Sequence, residues 1–320
     1  MNILITGANG FLGSFLCRIA SADTSNNVVA IVRKNANTER IGKISNLRIA
    51  KINYKNIDTV TESLVKIGLN HFDLVIHNAG LTKSTTPEPF HSINVGITQT
   101  LLSALIKSKL IDNGKFCYVS SQAALGPVGT NGPVSAYGES KLLAEKAIID
   151  SGLPYMIFRP TGIYGAGDSE FLPLFKSVKS GFYPCAAPVD QKVTLIHAHD
   201  VAKNILSLSK RIQNKIVHLS DGSIYSHIDL KNSLAASLNK KALFIVIPQW
   251  LTKFFLGMSA LLSKLLNIDP MLTLEKHGEI SKDWDHDFSS ERKEIPLDIK
   301  YDLHSGFADT SEYYRSKNLL

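Results

Sequence analysis

The fold of this 320-residue chain is decided near its start by the stretch Thr6-Gly7-Ala8-Asn9-Gly10-Phe11-Leu12-Gly13. The stretch follows an apolar run at residues 3–5 and opens a helical pattern over 11–20, so its glycines lie in a strand-to-helix turn. Gly7 and Gly10 let the backbone approach a ligand without interfering Cβ atoms, and Gly13 lets the helix lie close to the sheet. Free N–H groups at the helix start then suit a pyrophosphate. A plain strand–helix turn is the alternative interpretation.

Strand and helix patterns continue to alternate through the first half of the chain. Further strands are predicted at residues 28–32, 47–52, 72–76, 116–119 and 155–158, with helical residues at 64–69, 98–108 and 140–149. Short, fully apolar strands separated by helices are typical of a parallel sheet covered on both faces. The predicted fold class is therefore α/β, with a doubly wound parallel sheet.

The pattern changes after Arg159-Pro160, where several prolines interrupt the chain up to residue 191. A strand–helix–strand unit then returns at residues 193–196, 200–209 and 216–219, and the remainder is predicted to be mostly helical. The simplest division is a dinucleotide-binding domain at 1–161 plus 192–222. The segments 162–191 plus 223–320 then form a smaller, mostly helical substrate-binding lobe.

Composition excludes several classes of protein. Hydrophobic residues make up 44% and charged residues 20%, as in a globular protein. The basic residues behind the formal charge of +7 are scattered along the chain, so we expect no nucleic-acid partner. The excess of positive charge fits either a solvated surface or a phosphate-bearing ligand. The three cysteines are far apart and predict no metal site and no disulfide framework. No signal peptide is recognised, and reduced thiols predict a cytoplasmic location.

The most apolar region lies at residues 242–266. Pro248 and Lys253 interrupt it, so we predict no integral membrane segment. A helix of the substrate lobe is the favoured interpretation, either as lobe core or as the lining of an apolar pocket. Contact with a membrane surface remains an alternative.

A second motif carries chemistry. Tyr137-Gly138-Glu139-Ser140-Lys141 places a tyrosine and a lysine four apart, on one face of a helix start. A free tyrosine titrates near pH ~10, and a nearby ammonium favours its phenolate. A lone YxxxK is common by chance. Here, however, Ser120-Ser121 ends the fifth predicted strand, His77-Asn78-Ala79-Gly80 ends the fourth, and Asn94 follows.

Together these motifs resemble the extended short-chain dehydrogenase/reductase family, including its 3-beta-hydroxysteroid dehydrogenase and sugar-nucleotide epimerase (NAD-dependent epimerase/dehydratase) branches. That family carries TGxxGxxG, HxAG, a hydroxyl-bearing residue before the YxxxK helix, and a Rossmann sheet. The resemblance extends over nearly the whole chain, through Arg159-Pro160, Tyr164-Gly165, Ile196-His197 with Asp200, Trp284, and residues 306–314.

The resemblance implies roles for individual residues. Tyr137 would be the general acid/base, and Lys141 would tune it and hold ribose. Ser121 would hydrogen-bond the substrate oxygen; its spacing to Gly126 favours it over Ser120. Asn94 would support the catalytic site. The implied cofactor-binding residues are Gly7, Asn9, Gly10, Phe11, Leu12, Gly13, Arg33, Lys34, Asn53, His77, Ala79, Gly80, Tyr137, Lys141, Pro160 and Ile163.

Two positions in that set have alternative interpretations. His77, taken alone, fits a packed core histidine better than a catalytic one. Asn53 stands where the family usually has an aspartate that contacts adenine, and its amide can still hydrogen-bond the adenine amino group.

The end of the second strand indicates the cofactor. Arg33-Lys34 follows Val32 with no carboxylate nearby, which favours NADP over NAD because a basic residue accommodates the 2′-phosphate. Alternatively, both side chains are exposed and unused.

Two further positions indicate the reaction. Gln122-Ala123 follows the catalytic serine where dehydratases carry acidic residues, and Gly162 replaces the asparagine common in sugar-nucleotide enzymes. We therefore predict hydride transfer between a nicotinamide cofactor and a secondary alcohol or ketone of a bulky, possibly apolar small molecule. A sugar-nucleotide epimerase is the alternative, and a non-enzymatic NADP-binding redox sensor is a third hypothesis. The family also implies a homodimer, formed through the helices predicted at 98–108 and 140–149.

Overall fold

The computed structural model describes residues 1–42, 44–248, 250–252, 278 and 281–320. These residues form two compact units. The first contains Met1–Leu125, Ala136–Pro160 and Val201–Leu219; the second contains Gly126–Ser135, Thr161–Asp200 and Ser220–Leu320. The predicted domains have different boundaries from these units. Residues 126–135, 161, 192–200 and 220–222 were predicted to belong to the dinucleotide-binding domain but lie in the second unit.

The first unit is built on a seven-stranded sheet with the strand order β10-β6-β5-β4-β1-β2-β3. Every neighbouring pair is parallel. Its strands are β1 (Asn2–Thr6), β2 (Asn27–Val32), β3 (Leu47–Lys51), β4 (Leu74–His77), β5 (Lys115–Val119), β6 (Tyr155–Pro160) and β10 (Lys215–Leu219). The helices of this unit are α1 (Phe11–Ala22), α2 (Ile57–Val65), α3 (Glu88–Phe90), a π-helical turn (His91–Gly96), α4 (Ile97–Ser108), a short 3₁₀ helix (Gln122–Ala124), α5 (Ala136–Asp150) and most of α7 (Ala198–Arg211).

This sheet confirms the predicted doubly wound parallel fold. The inner strands β1, β4 and β5 are buried almost throughout, as their continuous apolar sequences require when helices cover both faces. The edge strand β3 is mostly exposed. The strand order reverses between β1 and β4, so the carboxyl ends of these two strands flank the position where such sheets bind ligands.

One predicted helix is misplaced. We expected helical residues at 64–69, but α2 ends at Val65. The helix begins after Asn56, whose side chain accepts a hydrogen bond from the Thr59 N–H. The chain turns at Gly68, which has a φ of +74° and therefore cannot continue a right-handed helix.

The second unit combines two small sheets with helices, so it has more strands than the sequence indicated. One sheet has the order β11-β9-β7 and the other pairs β12 with β8. Its elements are β7 (Gly162–Tyr164), α6 (Leu172–Lys179), β8 (Phe182–Cys185), β9 (Lys192–His197), β11 (Ile224–Ser226), α8 (His227–Leu238), β12 (Leu243–Val246), α9 (Ser289–Glu294) and α10 (Leu303–Ser316).

The core of the second unit is rich in aromatic side chains. Tyr164 packs edge-on against Phe307 with the ring centres 5.0 Å apart, and Phe307 packs in the same way against Phe175. Gly306 is required here, because a Cβ on it would lie 2.2 Å from the Tyr164 hydroxyl oxygen. Asp200 accepts hydrogen bonds from two backbone N–H groups that precede α10. These motif residues therefore have structural contacts inside this unit.

Within the described ranges, no helix is both long and apolar enough to cross a bilayer. Most of the apolar region at 242–266 lies outside the described residues, and this includes the positions 253–266.

Candidate active site

The turn between β1 and α1 is packed so closely that two of its glycines leave no room for a side chain. A Cβ on Gly13 would lie 2.1 Å from the Gly7 carbonyl oxygen, and a Cβ on Gly7 would lie 2.8 Å from the backbone of Ala79. Gly7 also has a φ of +63°, which side chains disfavour. The turn therefore presents bare backbone next to the end of β4.

The N-terminus of α1 has no side-chain cap, because Gly10 occupies the N-cap position. The first N–H groups of a helix have no partner inside the helix, and they carry the positive end of the helix dipole. An uncapped helix start beside a turn without Cβ atoms fits the pyrophosphate of a dinucleotide. The residues present thus suit the nicotinamide cofactor that the motif predicts.

The other predicted residues of this turn lie as follows. The side chain of Leu12 is buried, and the ring of Phe11 packs edge-on against Phe15 at 5.8 Å. The amide of Asn9 donates a hydrogen bond to the Asn37 carbonyl at 3.2 Å. The loop that follows β2 is thereby held against the turn.

Arg33 and Lys34 come directly after β2 and are exposed. Thr6 at the end of β1 is in register with Ile31 of β2, so the two strands reach the same edge together. The basic pair is therefore placed beside the glycine-rich turn. Asn53 is also exposed and follows the end of β3.

His77 is buried at the end of β4 inside a chain of hydrogen bonds that determines its tautomer. The Thr98 hydroxyl donates to the Asn94 carbonyl at 2.6 Å, so it accepts from Nε2 of His77, 3.0 Å away. Nδ1 therefore carries no proton and accepts from the Thr6 hydroxyl at 2.7 Å, while the Thr6 oxygen accepts from the Ala79 N–H. Both ring nitrogens are thus used by the protein, as in a packed core histidine.

This network predicts a specific acid sensitivity. Burial lowers the pKa of His77 from 6.5 to about 3, and the Lys141 ammonium acts in the same direction. Between those values the unfolded chain binds a proton that the folded protein does not, so stability falls as pH decreases through this window, by up to about 1.4 kcal/mol per pH unit. His77→Gln keeps one donor and one acceptor but cannot titrate.

We therefore expect the free energy of unfolding to depend less steeply on pH in His77→Gln than in the wild type. Urea titrations of both proteins between about pH 4 and pH 7 measure the difference. If the free energy of unfolding has the same pH dependence in both proteins, His77 binds no extra proton on unfolding.

Tyr137 and Lys141 lie in the first turns of α5, as predicted. The Lys141 ammonium is buried, donates to the Val119 carbonyl at 2.9 Å and lies 4.8 Å from the centre of the Tyr118 ring. It is 6.0 Å from the centre of the Tyr137 ring. Burial lowers the pKa of Lys141 to about 8, although the Glu145 carboxylate opposes this shift. The lysine is thus a buried cation close to the phenol.

Asn94 lies in the π-helical turn and connects two elements of the site. Its Oδ1 accepts a hydrogen bond from the Leu81 N–H at 2.7 Å, and its Nδ2 donates to the Leu81 carbonyl. Nδ2 also donates to the Ser140 hydroxyl at 2.9 Å. Ser140 in turn donates to the Tyr137 carbonyl at 2.7 Å. Asn94 therefore fixes the start of α5. Sequence reasoning missed Ser140, although a serine three residues after Tyr137 in a helix is a recognisable signal.

Gly80 lies against the side chains of Asn94 and Lys141. A Cβ on Gly80 would be 3.0 Å from the Asn94 Oδ1 and 3.3 Å from the Lys141 Nζ. The structure therefore brings together three of the predicted site residues at the end of β4.

The adjacent serines after β5 have different surroundings. Ser120 is buried and donates to the Glu145 carboxylate, which also binds Arg159 through two hydrogen bonds of 2.9 and 2.6 Å. Ser121 is only half-buried, and its hydroxyl oxygen accepts from the Ala123 N–H at 3.1 Å. The Ser121 hydroxyl keeps its own proton to donate, and its catalytic role stays a prediction.

The two remaining predicted residues lie further along the chain. Pro160 ends β6 and is in register with Leu219 of β10. Ile163 lies in β7 of the second unit and pairs with Ile196. Their cofactor contacts stay predictions. Among the residues that the structure describes, no group of His, Cys, Asp or Glu is arranged to hold a metal ion.

Comparisons with known proteins identify the family. The profile of the NAD dependent epimerase/dehydratase family matches residues 3–219. A ceramide reductase of Caulobacter vibrioides (strain NA1000 / CB15N) is 27% identical over 325 residues, covering 99% of this chain and 96% of the reductase. A UDP-glucose 4-epimerase of Vibrio cholerae is 25% identical over 311 residues, covering 87% of this chain and 90% of the epimerase.

The fold has a close counterpart among solved structures. UDP-glucuronic acid 4-epimerase from Bacillus cereus, crystallised in complex with NAD, superposes with a TM-score of 0.76 at 19% identity, covering 99% of this chain and 97% of that one. The chain belongs to the NAD dependent epimerase/dehydratase family. The predicted resemblance to extended short-chain dehydrogenases/reductases is confirmed, and the protein is an enzyme of that type.

Proposed function

We propose that this enzyme reduces a ketone, or oxidises the matching secondary alcohol, on a long-chain lipid of the ceramide class. The observation that carries the proposal is the cluster of Tyr137, Lys141 and Asn94 at the edge of the parallel sheet, with the half-buried Ser121 hydroxyl following β5. The similarity to a ceramide reductase over nearly the full length of both chains supports the substrate class.

The chain's own residues would handle the proton and the substrate oxygen. The nicotinamide cofactor, when bound, supplies or accepts the hydride. Tyr137 would donate its phenolic proton to the oxygen of the reduced carbonyl, and Ser121 would hold that oxygen by a hydrogen bond. Lys141, as a buried cation, favours the phenolate that remains. Asn94 would act through Ser140 by holding the backbone of Tyr137 in place.

For the cofactor we propose NADP, with NAD as the alternative. The exposed Arg33 and Lys34 beside the glycine-rich turn support this choice, since a guanidinium can bind the 2′-phosphate with two charge-assisted hydrogen bonds.

Arg33→Asp should reverse the cofactor preference. We expect wild-type protein to bind NADP at least about tenfold more tightly than NAD, a difference of ~1.4 kcal/mol, and this preference should shrink as salt is raised. The carboxylate in the variant repels the phosphate and can bind the ribose hydroxyl instead. Calorimetric titration with both cofactors at two salt concentrations measures the effect. Equal affinity of the wild type for both at low salt would remove Arg33 from the argument.

Sugar-nucleotide epimerisation is the second candidate, favoured by the similarity to UDP-glucose 4-epimerase. Gly162 argues against it. Glycine has no side chain, so this position lacks the asparagine amide that is common in sugar-nucleotide enzymes.

The deciding experiment measures turnover of the purified enzyme with each reduced cofactor and a long-chain keto-lipid dispersed in detergent. A parallel reaction follows UDP-glucose by chromatography. Cofactor oxidation that depends on the keto-lipid supports the proposal. Interconversion of the sugar nucleotide without net cofactor turnover would establish the epimerase instead.

We also propose a homodimer and a cytoplasmic location. Exposed apolar side chains on α4 and α5, namely Ile106, Leu142, Leu143 and Ile149, support association through these helices. All three cysteines are free thiols, which suits a reducing compartment.

A further inference from the structure

The sheet formed by β8 and β12 has an unusual outer face. The two strands are parallel, with Phe182 in register with Leu243 and Pro184 with Ile245. Side chains alternate between the faces of a strand, and partners in register lie on the same face. All four of these apolar residues are exposed, so this face has no polar position. We call these four residues the apolar face.

The opposite side of the same sheet forms ordinary core. Tyr183 and Cys185 are buried, and the ring of Phe244 stacks on that of Tyr183 with the centres 5.4 Å apart. A sheet with one packed face normally carries polar residues on the other. Leu243 is 68% exposed and Ile245 is 42% exposed. The interpretation of residues 242–248 as lobe core is therefore wrong for these side chains.

Two further apolar side chains close by in the chain are exposed. Val246, the last residue of β12, is in register with Cys185 and is 52% exposed, and Trp250, after the strand, is 70% exposed. Contiguous apolar surface of this kind marks a site of interaction, whereas scattered single residues do not. A large exposed tryptophan is typical of proteins at the boundary between water and lipid, because its indole combines an apolar ring with a polar N–H group.

Several lysines flank the apolar face. Residues 171–189 and 230–248, which contain both strands, α6 and most of α8, hold five lysines, while the nearest carboxylates in sequence, Glu170, Asp190 and Asp229, lie just outside these two segments. Lys176 and Lys179 lie in the last turn of α6, and Lys240 and Lys241 shortly precede β12; all four are exposed. The Leu243 N–H donates to the Gly181 carbonyl, which brings these two groups of lysines together.

We propose that the apolar face and its four flanking lysines dock this enzyme onto the surface of an anionic phospholipid bilayer. The apolar side chains and Trp250 enter the interface between headgroups and acyl chains, while the lysines contact the anionic headgroups. Exposed lysines beside an exposed apolar face favour a bilayer of anionic lipids over a second protein, because such a bilayer binds both kinds of side chain at once. This binding is independent of the substrate proposed above.

The test uses sedimentation of the full-length protein with sucrose-loaded vesicles in the absence of substrate. We expect binding to equimolar phosphatidylcholine and phosphatidylglycerol to be at least about fivefold stronger than binding to pure phosphatidylcholine. The difference should largely disappear at about 0.5 M salt. Equal or absent binding to the two vesicle types would overturn the proposal.

Two variants locate the surface. Leu243→Ser with Ile245→Ser should reduce the partition coefficient about tenfold or more, because two exposed side chains no longer leave water. Lys240→Gln with Lys241→Gln should weaken binding to anionic vesicles only. The matched control, Ile57→Ser with Val65→Ser, removes two exposed apolar side chains of comparable size from α2 and should bind as the wild type does.

The fluorescence of Trp250 reports membrane binding without any substitution in the apolar face. The chain has two tryptophans, so Trp284→Phe leaves Trp250 as the sole tryptophan emitter. Its emission should shift to the blue with anionic vesicles and be quenched by brominated acyl chains. An unchanged spectrum would contradict the proposal. The proposal would also be contradicted if the protein formed a concentration-dependent dimer that the Leu243/Ile245 variant did not form. The apolar face would then join two copies of the chain.

Discussion

Tyr137→Phe should slow hydride transfer by a factor of ~100 or more while leaving the protein folded and cofactor affinity nearly unchanged. General acid catalysis by a positioned side chain contributes about 10²–10⁴-fold, and only the hydroxyl is removed. The ring itself stays, with its centre 5.9 Å from that of Phe90. A 100-fold loss corresponds to ~2.7 kcal/mol of transition-state stabilisation.

Single-turnover measurements with saturating cofactor separate this effect from product release, which can otherwise hide a slow chemical step. Calorimetric titration of the cofactor in the same variant is the control for binding. If the phenylalanine variant transfers hydride as fast as the wild type, Tyr137 is not the proton donor, whatever its position beside Lys141.

Local patterns explain why most of the parallel sheet could be predicted. Its inner strands are short, continuous apolar runs, and the glycine-rich turn and the YxxxK pair each lie within eight residues of sequence. Strand β8 was missed because Pro184 interrupts it, although the neighbouring Tyr183 and Cys185 are buried in the expected alternation. Strand β12 was missed because its exposed apolar residues resemble core or pocket lining, and sequence alone does not show which side chains remain in water.

The contacts that organise the candidate site depend on residues far apart in the chain. Thr6 reaches His77 across 71 positions, and Asn94 reaches Ser140 across 46. No pattern in a single sequence predicts such pairs, because the strand order of the sheet brings them together. The YxxxK motif predicts which residue types would carry the chemistry. The tautomer of His77 and the burial of Lys141 followed only from the folded arrangement.

Ser120 and Ser121 should separate cleanly into a structural and a catalytic residue. Ser120→Ala removes a buried hydrogen bond to Glu145, and hydrogen bonds to charged groups contribute ~1.5–3 kcal/mol. Arg159 still engages both carboxylate oxygens, so the pair should survive. We expect a lower free energy of unfolding with turnover close to that of the wild type.

Ser121→Ala should show the reverse, with little loss of stability and a chemical step slowed by about 10²-fold, because the substrate oxygen loses a positioned donor as charge develops on it. Ser121→Thr keeps the hydroxyl and should recover most of the activity, which separates loss of the donor from loss of packing. Urea titrations and single-turnover rates for all three variants supply both readouts. If Ser120→Ala impairs chemistry more than Ser121→Ala does, the motif has been aligned one residue out of register, and the serine bound to Glu145 is the one that holds the substrate oxygen.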